Sequence, residues 1–255
     1  MHRRTFVGAL GGFGLGAAAA AADDKRTAFY LFQSFNLHTG NQLPRLHEFM
    51  SKSALPAFNK IHSGPKIFLE TVIGPQVPHF TGIYGFSSLD ELWNVHTKMV
   101  QDQDHMKGLM ALESGPEPPF ESMDTTVIEA ADYSPEIKAE PVEGSRLFEL
   151  RVYHSPTWHQ LIALHERFRG PEIKIFHRSG IHPILYGTTL FGQNNPNLTY
   201  MIPFTDMAAR EKAWAAFGAD PDWQKVRKDS VDKYGEIVSN IQITFYKSTP
   251  YSPVR

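Results

Sequence analysis

Residues 146–168 read RLFELRVYHSPTWHQLIALHERF, from Arg146 to Phe168, and the apolar period changes within that stretch. In Arg146–Tyr153, Leu147, Glu149, Arg151 and Tyr153 alternate with Phe148, Leu150 and Val152, which predicts a strand with one strongly buried face. His154-Ser155-Pro156-Thr157 is turn chemistry. Trp158, Leu161, Ile162, Leu164, His165 and Phe168 then recur at helical spacing, which predicts a helix. Gly170-Pro171 is expected to kink this helix and Ser179-Gly180 to end it. Ile181–Leu190 and Leu198–Phe204 read as two strands around the turn-rich Gly192–Pro196. Asp206 caps a predicted helix over Met207–Phe217, Asp220-Pro221 starts another short turn, and Ile237–Lys247 supplies the last strand. The order β-α-β-β-α-β is the ferredoxin-like plan.

The first half repeats this unit. Leu46-His47-Glu48 returns as Leu164-His165-Glu166 at an offset of 118 positions, 46 to 164. Thr81–Phe86 returns as Thr199–Phe204 and Tyr133-Ser134-Pro135 as Tyr251-Ser252-Pro253 at the same offset, while Ser63-Gly64 and Ser179-Gly180 slip to 116. A constant period of domain length means one structural unit used twice. Strands are therefore predicted over Ala28–Phe35, Lys66–Ile73, Thr81–Phe86 and Thr125–Ala130. Leu43–His62 reads as a helix, and a second helix opens at the capping box Ser88–Glu91. The expected class is α+β: two tandem ferredoxin-like (βαββαβ) domains, 23–134 and 145–255, joined by a linker at 135–144. Their sheets pair into a pseudo-twofold αβ barrel.

Met1–Ala22 reads as a twin-arginine-type signal peptide: Arg3-Arg4-Thr5-Phe6, a weakly apolar glycine-rich stretch, and the small residues Ala17–Ala22. The mature chain is expected to be exported, periplasmic or extracellular, and free of the membrane after cleavage. The absence of cysteine excludes disulfides and thiolate–zinc sites. With Arg3 and Arg4 removed from 25 Lys+Arg, against 27 Asp+Glu, the mature charge falls to −4, which does not suit a nucleic-acid partner. Homo-oligomers through sheet edges are compatible with this plan.

Five separated motifs in the second half, Phe148–Tyr153 (FELRVY), Gly180–Gly187 (GIHPILYG), Leu198–Phe204 (LTYMIPF), Met207–Trp214 (MAAREKAW) and Asp220–Gln224 (DPDWQ), occur in an order that resembles the NIPSNAP family. The first half resembles a degenerate copy, with Asp102-Gln103-Asp104-His105 where the second has Asp220-Pro221-Asp222-Trp223. The resemblance implies a dimeric αβ-barrel fold for both halves and no generally established reaction.

None of the twelve histidines stands four positions from another, so no helix carries a two-histidine metal motif and no metal site is expected. His47 and His165, made equivalent by the repeat, are the candidate catalytic or haem-ligating residues, together with Tyr186; helix–sheet packing is the competing reading of both histidines. Tyr153, His182, Tyr186 and Tyr200 on the sheet face, with Trp223 near the mouth, are the candidate ligand-binding group. Arg151 and Arg210 could meet an acidic ligand or pair with Glu149 and Glu211 on the surface. No nucleophile elbow, phosphate loop or dinucleotide fingerprint is present. The expected function is capture of a small molecule in the barrel cavity without a bound cofactor. The alternatives are a cofactor-independent or haem-dependent oxidoreductase of the αβ-barrel type, resembling antibiotic-synthesis monooxygenases or chlorite dismutases in architecture, and a scaffold protein.

Overall fold

The computed structural model describes residues 26–139 and 144–255. The leader Met1–Ala22 and positions 140–143 of the expected linker lie outside the described residues. In the first half β1 (Phe29–Asn36) leads into α1 (Gln42–Phe49), a π-helical turn (Met50–Ala54) and α2 (Leu55–Ile61), then β2 (Lys66–Ile73) and β3 (His79–Phe86). Helices α3 (Leu89–Gln101) and α4 (Gln103–Glu113) precede β4 (Ser122–Ala130). The second half repeats the order as β5 (Leu147–His154), α5 (Trp158–Arg167), a π-helical turn (Phe168–Glu172) and α6 (Ile173–Arg178), then β6 (Leu185–Phe191) and β7 (Asn197–Phe204). It ends with α7 (Met207–Ala219), α8 (Pro221–Tyr234) and β8 (Asn240–Ser248). β1, β3, β4, α3 and the first π turn all return at an offset of 118, and so does the end of β2. The Ser-Gly slip is therefore local: α6 stops early and the loop before β6 is longer, with no net insertion.

All eight strands close into one antiparallel barrel in the order β1-β3-β2-β8-β5-β7-β6-β4. Each half contributes four neighbouring strands, and the two seams are β2–β8 and β4–β6, each with a register irregularity. Closure removes every sheet edge from water. The helices coat the outside, so strands are buried on both faces. Phe148 and Met201 point into the bore with Tyr30, Ile67, Ile83 and Leu185. Phe35, Phe68 and Phe80 pack under α1 to α4, and Tyr153, Tyr186 and Tyr200 pack under α5 to α8. The Glu149–Tyr153 face of β5, expected to be its polar side, is consequently buried as well, with Glu149 and Arg151 at 0% and 8% exposure.

Local signals explain the helix starts. Ser88 Oγ accepts from the Glu91 amide, Asp206 from Ala209, and Asp220 from both Asp222 and Trp223. The Asp220-Pro221 turn is in fact a helix of 14 residues, with Pro221 at its first position. On α5 and at the start of the π turn that continues it, Leu161, Leu164 and Phe168 are buried, but Trp158 and Ile162 are exposed, one helical turn apart on the outward side. The expected kink occurs at Gly170, whose ψ of −111° leaves the helix.

The repeated Tyr-Ser-Pro tripeptide crosses a seam twice in the same way. Past β4, the Tyr186 amide donates to Ser134 Oγ (3.0 Å); past β8, the Phe68 amide donates to Ser252 Oγ (3.0 Å). The Tyr133 hydroxyl reaches His165 Nδ1 at 2.8 Å, and the Tyr251 hydroxyl reaches His47 Nδ1 at 2.7 Å. Each half thus ends by fastening the other. Both serines are buried, and truncation leaves a strand amide unpaired in a dry place, which costs about 1–3 kcal/mol. Ser134→Ala and Ser252→Ala are each expected to lower the urea midpoint by that amount of stability at unchanged slope.

Candidate functional site

Three tyrosines meet on the helix-covered face of the second half. Tyr186 and Tyr200 are direct cross-strand partners on β6 and β7, and Tyr200 in turn faces Arg151 on β5. The Tyr200 ring lies 5.1 Å from Tyr153 and 5.7 Å from Tyr186, and Phe168 lies over all three. Burial pushes all three phenols up from their ordinary pKa, so each hydroxyl stays protonated and available as a donor. The Tyr186 hydroxyl is buried with no hydrogen-bond partner, and the buried Tyr200 hydroxyl has only the Tyr153 hydroxyl to interact with. Buried polar groups without partners are rare and mark a place where a ligand or water completes the bonding.

Beside this cluster a cavity of ≈ 500 Å³ opens between β5, the second π turn, α7, α8 and the loop before β8. Tyr153, Arg167, Glu172, Phe217, Trp223 and Ile237 supply its walls. Its size lies within the roughly 300–1,000 Å³ typical of small-molecule sites. Trp223 packs on Phe217 with ring centroids 4.3 Å apart and carries the Arg167 guanidinium 5.0 Å above its face, so it is both a packing residue and a wall. Glu172 is fully buried at the end of the π turn; burial raises its carboxyl pKa, opposed by Arg167, whose Nε donates to it at 2.7 Å. A π turn displaces the helix backbone from its regular path, a device common at functional sites.

Below the tyrosines, Glu149 is held by two arginines and a tryptophan. Arg151 Nη1 donates at 2.6 Å, Arg210 through Nε and Nη2 at 3.0 Å each, and Trp214 Nε1 at 2.9 Å. Burial alone would raise this carboxyl; the Arg210 hydrogen bonds and the Arg151 charge override it and hold its pKa below the ordinary value. Arg151 also stacks 4.1 Å above Trp214. Glu149 therefore pairs with both arginines, as one of the two sequence readings has it, but inside the protein and not on its surface.

The candidate residues divide accordingly. Tyr153, Tyr186, Tyr200 and Trp223 are brought to one side of the sheet, although to the space under the helices and not to the barrel bore. His182 is not among them: it is exposed in the loop before β6, stacked on His177 at 5.1 Å. Pro183 removes an amide that a strand there would need, so β6 begins only at Leu185. His165 has both ring nitrogens engaged, Nδ1 by Tyr133 and Nε2 by Thr188 Oγ1 at 2.8 Å, and burial lowers its pKa to about 4. His47 is bound by Tyr251 and faces Glu70 at 3.3 Å through Nε2; burial lowers its pKa while Glu70 opposes the shift. No histidine lines the cavity, so a haem seated there would lack an imidazole ligand.

Glu172 and Arg167 are site residues that the periodicity of the sequence does not single out. The repeat does. At an offset of 118, Tyr153, Tyr186 and Tyr200 correspond to Phe35, Phe68 and Gly82, and Arg167 and Glu172 to Phe49 and Ala54. In the first half the Tyr84 hydroxyl leans over Gly82, close enough that a Cβ there would meet it at 2.6 Å. One half has an apolar core where the other has a polar, hydroxyl-rich one.

Residues 148–253 match the family model for NIPSNAP, so the second half carries a NIPSNAP domain. No curated protein matches the chain. Among solved structures, a provisionally named monooxygenase from Lactobacillus acidophilus is similar at a TM-score of 0.55 and 7% identity, over 88% of this chain and 95% of that one. An anthrone oxidase-like protein is similar at a TM-score of 0.51 and 15% identity, over 89% and 92%. A provisionally named chlorite dismutase is similar at a TM-score of 0.51 and 11% identity, over 89% and 96%. All three share the closed αβ-barrel fold.

Proposed function

We propose that this is an exported binding protein whose NIPSNAP half captures a small aromatic molecule between sheet and helices, the first half serving as its structural partner. In this reading the two halves are tandem ferredoxin-like units related by a pseudo-twofold axis, and only one has kept a site. The observation that carries the proposal is the buried, unpartnered Tyr186 hydroxyl, whose ring stacks on Tyr200, which in turn packs against Tyr153 in the wall of a cavity shared with Trp223. Aromatic walls supply flat apolar contact, and protonated phenols and the arginines at Arg167 and Arg227 select oxygen substituents on the ligand. A ligand oxygen that bonds the Tyr186 hydroxyl gives a buried donor its partner.

A second reading, oxidation of an electron-rich phenol by oxygen without a cofactor, draws on the names of the fold neighbours, a monooxygenase and an anthrone oxidase-like protein among them. Both readings use the same residues. Titration of the full chain with 1-naphthol, followed by tryptophan fluorescence, tests the first. Saturable quenching is expected, abolished in Trp223→Ala and weakened up to about tenfold in Tyr200→Phe or Tyr186→Phe, the loss of one hydrogen bond. Binding indifferent to all three substitutions rejects the site. Oxygen consumption in the same mixture, lost in Tyr200→Phe, would favour the second reading over the first.

A further inference from the structure

The barrel bore changes character along its length. Its lower layers are filled by Tyr30, Ile67, Ile83, Phe148, Leu185 and Met201. Eight strands enclose a space that side chains just fill or that holds one small ligand. Towards the end where the β2–β3 and β6–β7 hairpins turn, large side chains give way to threonines, and a cavity of ≈ 580 Å³ opens, floored by Phe32, Ile128, Leu150 and Tyr246. Four of its wall threonines form two pairs related by the repeat offset of 118, Thr71 with Thr189 and Thr126 with Thr244. A third pair, Thr81 with Thr199, lies on the same bore-facing register, with Thr199 in the wall.

The tyrosines, Arg167 and Glu172 of the cleft in the second half have no polar counterparts in the first, whereas three threonine pairs of the bore are kept in both copies, beside wall positions that differ, such as Ser34 and Val152 or Asp124 and Gln242. Threonine favours strands, but so do the isoleucines that occupy the same register one or two layers down, so strand propensity alone does not place hydroxyls here. Several of these groups are already oriented. Thr71 Oγ1 is 2.8 Å from His79 Nδ1, Ser34 Oγ is 3.2 Å from Thr81 Oγ1, and Thr189 and Thr199 both donate to Asn197 Oδ1 at 3.0 and 3.1 Å. The buried amide nitrogen of Asn194, another wall residue, has no partner. Asp124 is the acidic residue of the wall and accepts from the neutral Asn36 amide at 3.0 Å, and burial lowers the pKa of His79 against the opposing Asp124 charge, leaving it neutral at pH 7. Hydroxyls and amides both donate and accept, and the cavity floor is apolar. Such a lining is matched to a molecule with many neutral hydroxyls and an apolar ring face, and not to an anion.

We propose that the hairpin end of the bore is a second binding site, separate from the cleft of the NIPSNAP half, for a neutral polyhydroxylated molecule of sugar or cyclitol type. The threonine pairs bond its hydroxyls from opposite sides, and Phe32 and Tyr246 receive its ring. The test is NMR of the isotope-labelled full chain titrated with glucose and with maltose, reading the threonine methyls and the His79 ring. The expected result is saturable shifts confined to the bore threonines and His79. Gln242→Trp, at the cavity rim, is expected to weaken the effect at least about tenfold, while leaving the affinity for 1-naphthol, read by calorimetry, unchanged. Thr126→Val, which keeps the shape and removes one hydroxyl, is expected to weaken it less. Absence of shifts with either sugar, or equal shifts in parent and Gln242→Trp, overturns the proposal. Because 1-naphthol reports the other cleft, loss of either site is distinguishable from loss of the other.

Discussion

Glu149→Ala is expected to destabilise the protein by about 3–5 kcal/mol, a large share of the total stability of an ordinary domain. The carboxylate has no exposure, and four hydrogen bonds from Arg151, Arg210 and Trp214 converge on it. Its removal leaves the Arg151 guanidinium buried without an anion, and Arg151 Nε already has no partner. Arg210 is better placed to recover, because it is partly exposed and also bonds Glu211. Glu149→Gln keeps the volume and loses the charge, so an intermediate cost is expected. The first half supplies a control: at the positions equivalent to Glu149 and Arg151 it has Leu31 and Gln33, and it folds without an ion pair there. The double substitution Glu149→Leu, Arg151→Gln is therefore expected to recover most of what Glu149→Ala loses, since replacing a whole buried pair is often neutral. Urea unfolding of the three variants decides the matter. A cost below about 1 kcal/mol for Glu149→Ala would mean that water reaches the network.

The contrast between Leu31/Gln33 and Glu149/Arg151 also shows what was legible beforehand. The period of 118, the strand and helix order and the caps at Ser88 and Asp206 all lie in local sequence and reappear in the structure. Barrel closure was also expected, but from the repeat and the family resemblance and not from any local pattern, because the seams β2–β8 and β4–β6 pair residues far apart in the chain. The helix α8 escaped that reading. It buries no residue fully, so no apolar stripe announces it, and only its aspartate cap and Pro221 mark the start. Tyr-Ser-Pro was visible as a repeat, but its bonds run to Phe68 and Tyr186 on the opposite half.

The site was legible in the same uneven way. Tyr153, Tyr186, Tyr200 and Trp223 stand out as aromatic residues on predicted elements, and they do converge. Glu172 sits in Arg-Gly-Pro-Glu, which reads as a kink, and its burial depends on a π turn that composition does not reveal. His182 was drawn towards the tyrosines because Ile181–Leu190 looks like one strand, when Pro183 delays the strand to Leu185. Subtracting one copy of the repeat from the other is the reading that isolates the whole polar set, because shared packing cancels and divergent chemistry remains.

That subtraction also separates the two equivalent histidines. His165 and His47 make the same tyrosine bond, but the second partner of His165 is Thr188, where His47 has Glu70. Burial, reinforced by the nearby Arg169 charge and only partly opposed by Asp132, lowers the pKa of His165 to about 4, against an ordinary 6.5. The unfolded chain therefore takes up this proton first as pH falls. The stability it confers is complete above pH 6.5 and is lost progressively down to about pH 4. At 1.36 kcal/mol per pKa unit the full loss amounts to roughly 3 kcal/mol. Buried Glu172 works in the opposite sense, since its raised pKa favours folding as pH falls towards 4.5, so the net acid transition is shallower than His165 alone would give. His165→Gln, which cannot titrate, is expected to flatten the stability curve between pH 6.5 and 4 by up to one proton's slope, and to cost stability at pH 7 through the lost ring packing. Ring titration by NMR reads the same quantity directly. The His165 midpoint is expected near 4; the His47 midpoint is expected below the ordinary imidazole value, lowered by burial and Lys247 and opposed by Glu70. A His165 midpoint near 6.5 would place the ring in water and remove both the acid sensitivity and the Tyr133–His165 tie from the account of how the two halves are fastened.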